Sequence, residues 1–337
     1  MRITTTTGSR SKYDPRSDIL ERGFLLVIAS FAKQSYNYKM RSKLFLWFSV
    51  LYLGFWGGAI GVLGKFALVS FTPLQLIFFR LAFSILIFGL ILLARQKLWI
   101  TLRGIFKDAR YYIFLALSGV GGGMILGFLG LRATTAISYD LLFNASGFFI
   151  VILGSWLYAD KVSRLDKFLL AVAFLGMGFV VMSHGSIIEA LRGGSLFGDA
   201  LVILGGLGWA LYTVVGARSI KRNSARGALN NVFGSFIFAA IVLGTYVFVF
   251  EPVNFLTLNA GAVTSAIVLG IFATAILFVL WFRFAETADG TATALVALSE
   301  NIGGVIFPIL FLGEALTWLG MIGAVLIIAP LVVREYQ

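Results

Sequence analysis

The chain has 337 residues, of which 59% are hydrophobic and 12% charged, and it carries a net charge of +12. A soluble domain of this size would hold about twice that share of charge, whereas repeated uncharged runs of about 18 or more residues mark membrane-spanning helices. With no cysteine and one histidine, His184, the sequence excludes disulfides, thiolate chemistry and a histidine metal cluster.

In chain order, residues 1–22 are polar and of mixed charge, and GFLLVIASFA (23–32) is too short to cross a bilayer. Met40-Arg41-Ser42-Lys43, directly before LFLWFSVLYLGFWGG, reads as a start followed by a signal-anchor helix. Residues 1–39 are therefore expected to be a dispensable N-terminal extension or to precede the true start. The alternative is a short helix lying on the membrane surface.

Charges then divide the chain into ten apolar spans. The first lies between Lys43 and Lys65. The second runs from Pro73 to about Ala94, interrupted only by Arg80. The third lies between Arg110 and Arg132, and the fourth, about Thr134 to Tyr158, contains Asp140. The fifth lies between Lys167 and Glu189, the sixth fills 200–217, and the seventh lies between Arg226 and Glu251. The eighth ends at Arg283, the ninth, about 290–312, holds Glu300, and the tenth lies between Glu314 and Arg334. At about 1.5 Å per residue each can cross a core of about 30 Å. The runs are continuous, so barrel strands are not expected. The expected fold is an all-α integral membrane protein of ten transmembrane helices.

Loops 2–3, 4–5, 6–7 and 8–9 hold thirteen lysines and arginines, against three (Lys65, Arg132, Arg192) in the opposite loops. That bias places both termini in the cytoplasm, in a cell (cytoplasmic or inner) membrane. The basic residues read as topology signals and contacts for anionic lipid headgroups, not as a nucleic-acid surface.

The two halves resemble each other. LYADKVSRLD (157–166) aligns with FLGEALTWLG (311–320), placing Asp160 on Glu314 at an offset of 154 residues. FWGGAIGVLGK (55–65) aligns with GWALYTVVGAR (208–218), placing Trp56 on Trp209 and Lys65 on Arg218 at an offset of 153. Residues 40–188 and 195–337 are thus expected to be two five-helix repeats. Because five is odd, the second is inverted, as in alternating-access transporters with a site near the midplane.

WGG in the first span, TPLQLIFFRLAF (72–83), LGWALYTV (207–214), LSEN (298–301) and FLGEALTWLG (311–320) resemble the drug/metabolite transporter superfamily, EamA type, over about residues 44–334. The resemblance implies two EamA repeats around a central cavity. It also implies export or exchange of small metabolites such as amino acids or amines, driven by gradients. No nucleotide-binding G-x-x-x-x-G-K-[ST] loop occurs, which agrees. Two departures stand out: Asn301 follows Glu300 where members often carry proline, and Ala159-Asp160 stands in the first repeat where Gly313-Glu314 stands in the second.

An ionisable side chain within a span marks a functional site by default, because holding it there is costly. Glu300 falls about 15 Å deep, near the midplane, and Arg80 and Asp140 each fall roughly 10 Å from the outer side. At equal depth, Arg80 and Asp140 are expected to pair or share a polar network, as an outer lock or as ligands of a charged substrate. Glu300 can carry protons, bind an amine-bearing substrate, or hold neighbouring helices together. Asn301 adjoins it, and Asn144, one turn beyond Asp140, can hydrogen-bond substrate. Trp209, Tyr212, Tyr139 and Trp281, with Trp56 and Phe282, can stack on a substrate or serve as lipid-facing residues. Trp209 and Tyr212 lead, because the family resemblance places their motif near the central path. The G-x-x-x-G spacing of Gly57/Gly61 suits helix packing. His184 reads as a loop residue, and Glu314 and Asp160 read as caps or loop ligands. No metal or cofactor is expected. The expected partners are a small-molecule substrate, lipid and protons, with the chain a monomer or homodimer.

A secondary transporter leads, and the family resemblance implies export or exchange in a cell membrane. An intramembrane enzyme would need Glu300 and Asp140 to converge, against which their different depths argue. A sensor or partner-binding protein would need a soluble relay domain that the chain lacks.

Overall fold

The computed structural model describes residues 40–183, 195–223, 226–254, 258–287 and 290–335. The expectations for residues 1–39 and for His184 fall outside the described residues. An N-terminal unit ends at Phe45, where the helix that begins at Met40 is already under way. The second unit, Leu46–Gln337, holds the elements below.

Among the described residues all regular structure is helical. Eight helices are long and apolar enough to cross a membrane: α1 Trp47–Ala67, α2 Pro73–Ala94, α3 Ala109–Ala133, α4 Ala136–Tyr158, α5 Arg164–Met182, α6 Ser195–Ile220, α7 Ala228–Phe250 and α8 Ala260–Phe284. Two more follow, α9 Gly290–Leu312 and α10 Trp318–Glu335, with shorter apolar stretches, Ser299–Leu312 and Trp318–Pro330. Helices therefore occupy all ten of the expected apolar runs, and among the described residues eight of them are long and apolar enough to span. Pro308 does not end α9, which continues to Leu312.

Local chemistry sets the boundaries. Thr72 caps α2 in a capping box with Gln75, Pro73 taking the first helical position. Ser163 and Asp166 form the same box on α5, and Thr135 and Asn259 cap α4 and α8. Helices α4 and α9 both end against a left-handed residue, Ala159 (φ 56°) and Gly313 (φ 66°). The α2–α3 connection contains a short helix, Leu98–Lys107. It buries Ile105 and leaves Trp99 and Ile100 exposed, an amphipathic pattern within a stretch read only as a charged loop.

The packing pattern reads the same when the first five helices are exchanged with the last five. Helix α1 packs on α8 and α9, and α6 packs on α3 and α4. Helix α2 packs on α7, α4 on α9, and α5 on α10. Four helices lose regular α geometry part-way along. Helix α1 breaks at Ala59 and α4 at Ala145, while α3 and α8 carry wide π turns at Ala116–Ile125 and Ile271–Ile276.

Candidate functional site

The four irregular helices meet α2, α6 and α9 around a cavity of about 310 Å³. Non-α backbone at membrane depth is tolerated where it is buried in protein or lines a cavity, and discontinuous helices build the binding sites of many transporters. The cavity receives Arg80 from α2, Tyr139, Asp140 and Asn144 from α4, Trp209 from α6, Trp281 from α8, and Glu300 and Asn301 from α9. Eight of the nine candidates read from the sequence therefore converge there.

Tyr212 is the exception. It is buried against Gly119, with its hydroxyl 3.4 Å from Ser235 Oγ, and does not line the cavity. Thr213 takes the wall position instead. On a helix advancing about 100° per residue, a position four after Trp209 stays closer to its face than one three after it. The i+4 relation was the available signal.

The expected Arg80–Asp140 ion pair is absent among the described residues. Arg80 Nε donates to Thr274 Oγ1 at 3.0 Å, and the guanidinium lies 4.7 Å above the Phe128 ring. Thr274 Oγ1 in turn donates to Leu269 O at 2.6 Å. A π turn displaces backbone carbonyls from their regular partners; here a hydroxyl takes one up and offers its lone pair to Arg80. Thr274 was not picked out in the sequence, where a threonine in an apolar run carries no charge signal.

Glu300 and Asp140 approach the same stripe of α1. A Cβ at Gly57 would stand 2.7 Å from Glu300 Oε1, and one at Gly61 would stand 2.5 Å from Asp140 Oδ2. The Gly57/Gly61 spacing thus makes room for two carboxylates as well as for helix contact. The acids sit about one helical turn apart along α1, the separation that their depths in the sequence suggested.

Several buried polar atoms on this wall have no hydrogen-bond partner among the described residues: Arg80 Nη1, Asp140 Oδ2, Thr213 Oγ1 and Trp281 Nε1. Buried polar groups are normally satisfied, so a cluster facing one cavity marks a place for a polar guest or water. The apolar part is aromatic. Trp209 stands edge-on to Phe278 with ring centres 4.7 Å apart, and 6.3 Å from Trp281; Tyr139 stacks on Phe143 at 5.5 Å. Trp56, by contrast, stacks on Phe272 at 5.0 Å, and Phe282 packs edge-on to Tyr212 at 5.2 Å; neither lines the cavity.

Two polar clusters lie at opposite ends of the helices. At one, Glu314 accepts from the backbone N–H groups of Ala136 (2.8 Å) and Ile137 (3.0 Å), and Lys65 Nζ donates to Thr134 O at 2.5 Å. Thr134 Oγ1 donates to Asp199 Oδ1 at 2.5 Å. At the other, Asp160 is paired with Arg218, and Arg226 is paired with Asp108 at 3.0 Å.

Residues 196–333 match the model of the EamA-like transporter family. The chain is 27% identical to an uncharacterized transporter of Archaeoglobus fulgidus, over 79% of this chain and 90% of that one. It is 26% identical to the uncharacterized transporter YyaM of Bacillus subtilis, over 83% of this chain and 90% of that one. A crystal structure of a protein 16% identical in sequence superposes with a TM-score of 0.59, covering 86% of this chain and 95% of the other; at that identity the likeness is one of fold.

Proposed function

We propose that the chain is an EamA-type secondary transporter of the drug/metabolite transporter superfamily, one that exports or exchanges small metabolites by alternating access; the family match over residues 196–333 and the transporter names of its relatives support this. The observation that carries this reading is the cavity, where Arg80, Asp140 and Glu300 meet tryptophans and unpartnered polar atoms at four broken or widened helices. A substrate with a cationic amine faces Asp140, an anionic end faces Arg80, and an apolar body lies against Trp209 and Trp281. This favours compounds of amino-acid or amine type. The exchange-symmetric packing of helices supports two inverted repeats, ten spans, and rocking of one half against the other. The thirteen-to-three distribution of basic residues supports cytoplasmic termini in a cell membrane. A carboxylate-based intramembrane enzyme is the weaker reading, since three relatives are named transporters.

Glu300 is assigned the coupling proton. The test is flux in proteoliposomes over a panel of amino acids and amines, with and without a pH gradient. The Glu300→Gln variant should still exchange substrate but lose its response to the gradient. A variant whose response is unchanged would return Glu300 to substrate binding or packing.

A further inference from the structure

We propose that Glu314 and Asp160 are reciprocal latches, each alternating between a helix N-terminus and a basic side chain as the cavity opens at one end or the other. The proposal rests on the alternating-access reading above. The two acids hold equivalent places, 154 residues apart, and the basic residues Lys65 and Arg218 are equivalent at 153. The backbone agrees, since each acid follows a left-handed residue, Ala159 or Gly313, at the end of α4 or α9.

The equivalent acids are caught in different arrangements. Glu314 accepts from the Ala136 and Ile137 amides at the start of α4. These are first-turn N–H groups, which have no partner within their helix and carry partial positive charge. Lys65 binds the same turn through Thr134 O, and Thr134 reaches the buried Asp199 of α6. The ends of α1 and α9 and the starts of α4 and α6 are therefore tied together at this end. At the opposite end Asp160 is paired with Arg218, with 47% and 40% of their side chains exposed. The guanidinium groups of Arg218 and Arg222 lie 5.0 and 5.6 Å from the Tyr158 ring.

Exchanging the halves specifies the other state. Ala136 and Ile137 correspond, at 154 residues, to Gly290 and Thr291, the first residues of α9. In that state Asp160 leaves Arg218 for the amides of Gly290 and Thr291, and Glu314 leaves α4 for Lys65. The structure is thus latched at the Lys65 end. Each acid holds its own end shut most strongly when capping a helix, because two charge-assisted amide bonds outweigh an exposed ion pair.

The chain contains no cysteine, so one reporter thiol suffices. Ser146→Cys places it on the cavity wall. The full chain is reconstituted in vesicles without substrate, and labelling by a membrane-impermeant maleimide is timed from each side. Adding Glu314→Gln should raise labelling from the Lys65 end about tenfold and slow it from the Arg218 end, a size set by the loss of a helix cap. Adding Asp160→Asn should do the reverse. If Glu314→Gln fails to fold, Arg218→Gln carries the test, with a smaller rise of about threefold from the Lys65 end. Unmoved labelling, shifts of both acid variants in one direction, or a thiol unreachable from either side in every variant would each overturn the latch. Opposite shifts in a chain that transports nothing on the panel would keep the latch and sink the transporter reading. Measurable flux with unmoved labelling would sink the latch alone.

Discussion

Arg80 is 2% exposed; among the described residues its guanidinium donates to Thr274 and lies over the Phe128 ring, with no carboxylate paired to it. A buried charge without a counter-ion weakens a fold, so a position that keeps one serves something other than stability. Arg80→Gln should therefore leave the melting temperature unchanged or raise it, while saturable transport falls by at least about a hundredfold, the loss expected when a charged ligand's partner is removed. A parallel fall in melting temperature would make Arg80 a structural lock. Arg80, Asp140 and Glu300 were legible in the sequence for one reason: a charge inside an apolar run has few bland explanations. Their pairing was not legible, because span depth says nothing of lateral position. Equal depth suggested an Arg80–Asp140 pair, whereas Asp140 turns to Gly61 of α1 and Arg80 to Thr274 of α8.

Among the helices, α8 shows how a wide turn is held open. Thr274 closes the bond to Leu269 O and receives Arg80, while Ser84 of α2 donates to Gly270 O at 2.9 Å. Thr274→Val keeps the shape but strands the Leu269 carbonyl and the Arg80 Nε. It should cost about 1–3 kcal/mol, read as a lower melting temperature in detergent, and reduce transport with it. Loss of transport at unchanged stability would mean that Thr274 touches substrate rather than supporting the turn. The spans were readable from continuous apolar runs; the caps at Thr72 and Ser163 were not picked out, although their S/T-x-x-D/Q spacing was the available signal. The π turns were not read: four glycines in ALSGVGGGMI, a residue that weakens a helix interior, were an available signal for the first, whereas IFATAI carries none. The amphipathic helix Leu98–Lys107 was hidden by its own charges, which had been counted only for topology.

For the molecule as a whole, that short helix offers a measurement of orientation. Trp99 is 72% exposed and lies in the connection richest in basic residues, so the proposed topology puts it at the cytoplasmic surface. Trp99→Cys, as the only thiol, should react with an impermeant reagent in inside-out vesicles and be protected in right-side-out ones. The opposite result would place both termini on the outer side.

An L-residue with a side chain enters left-handed backbone at a cost that glycine escapes, yet Ala159 adopts nearly the angle that Gly313 adopts freely. The turn, with the Asp160–Arg218 pair beside it, thus keeps one shape through two different residues, and the conformational cost falls on the alanine alone.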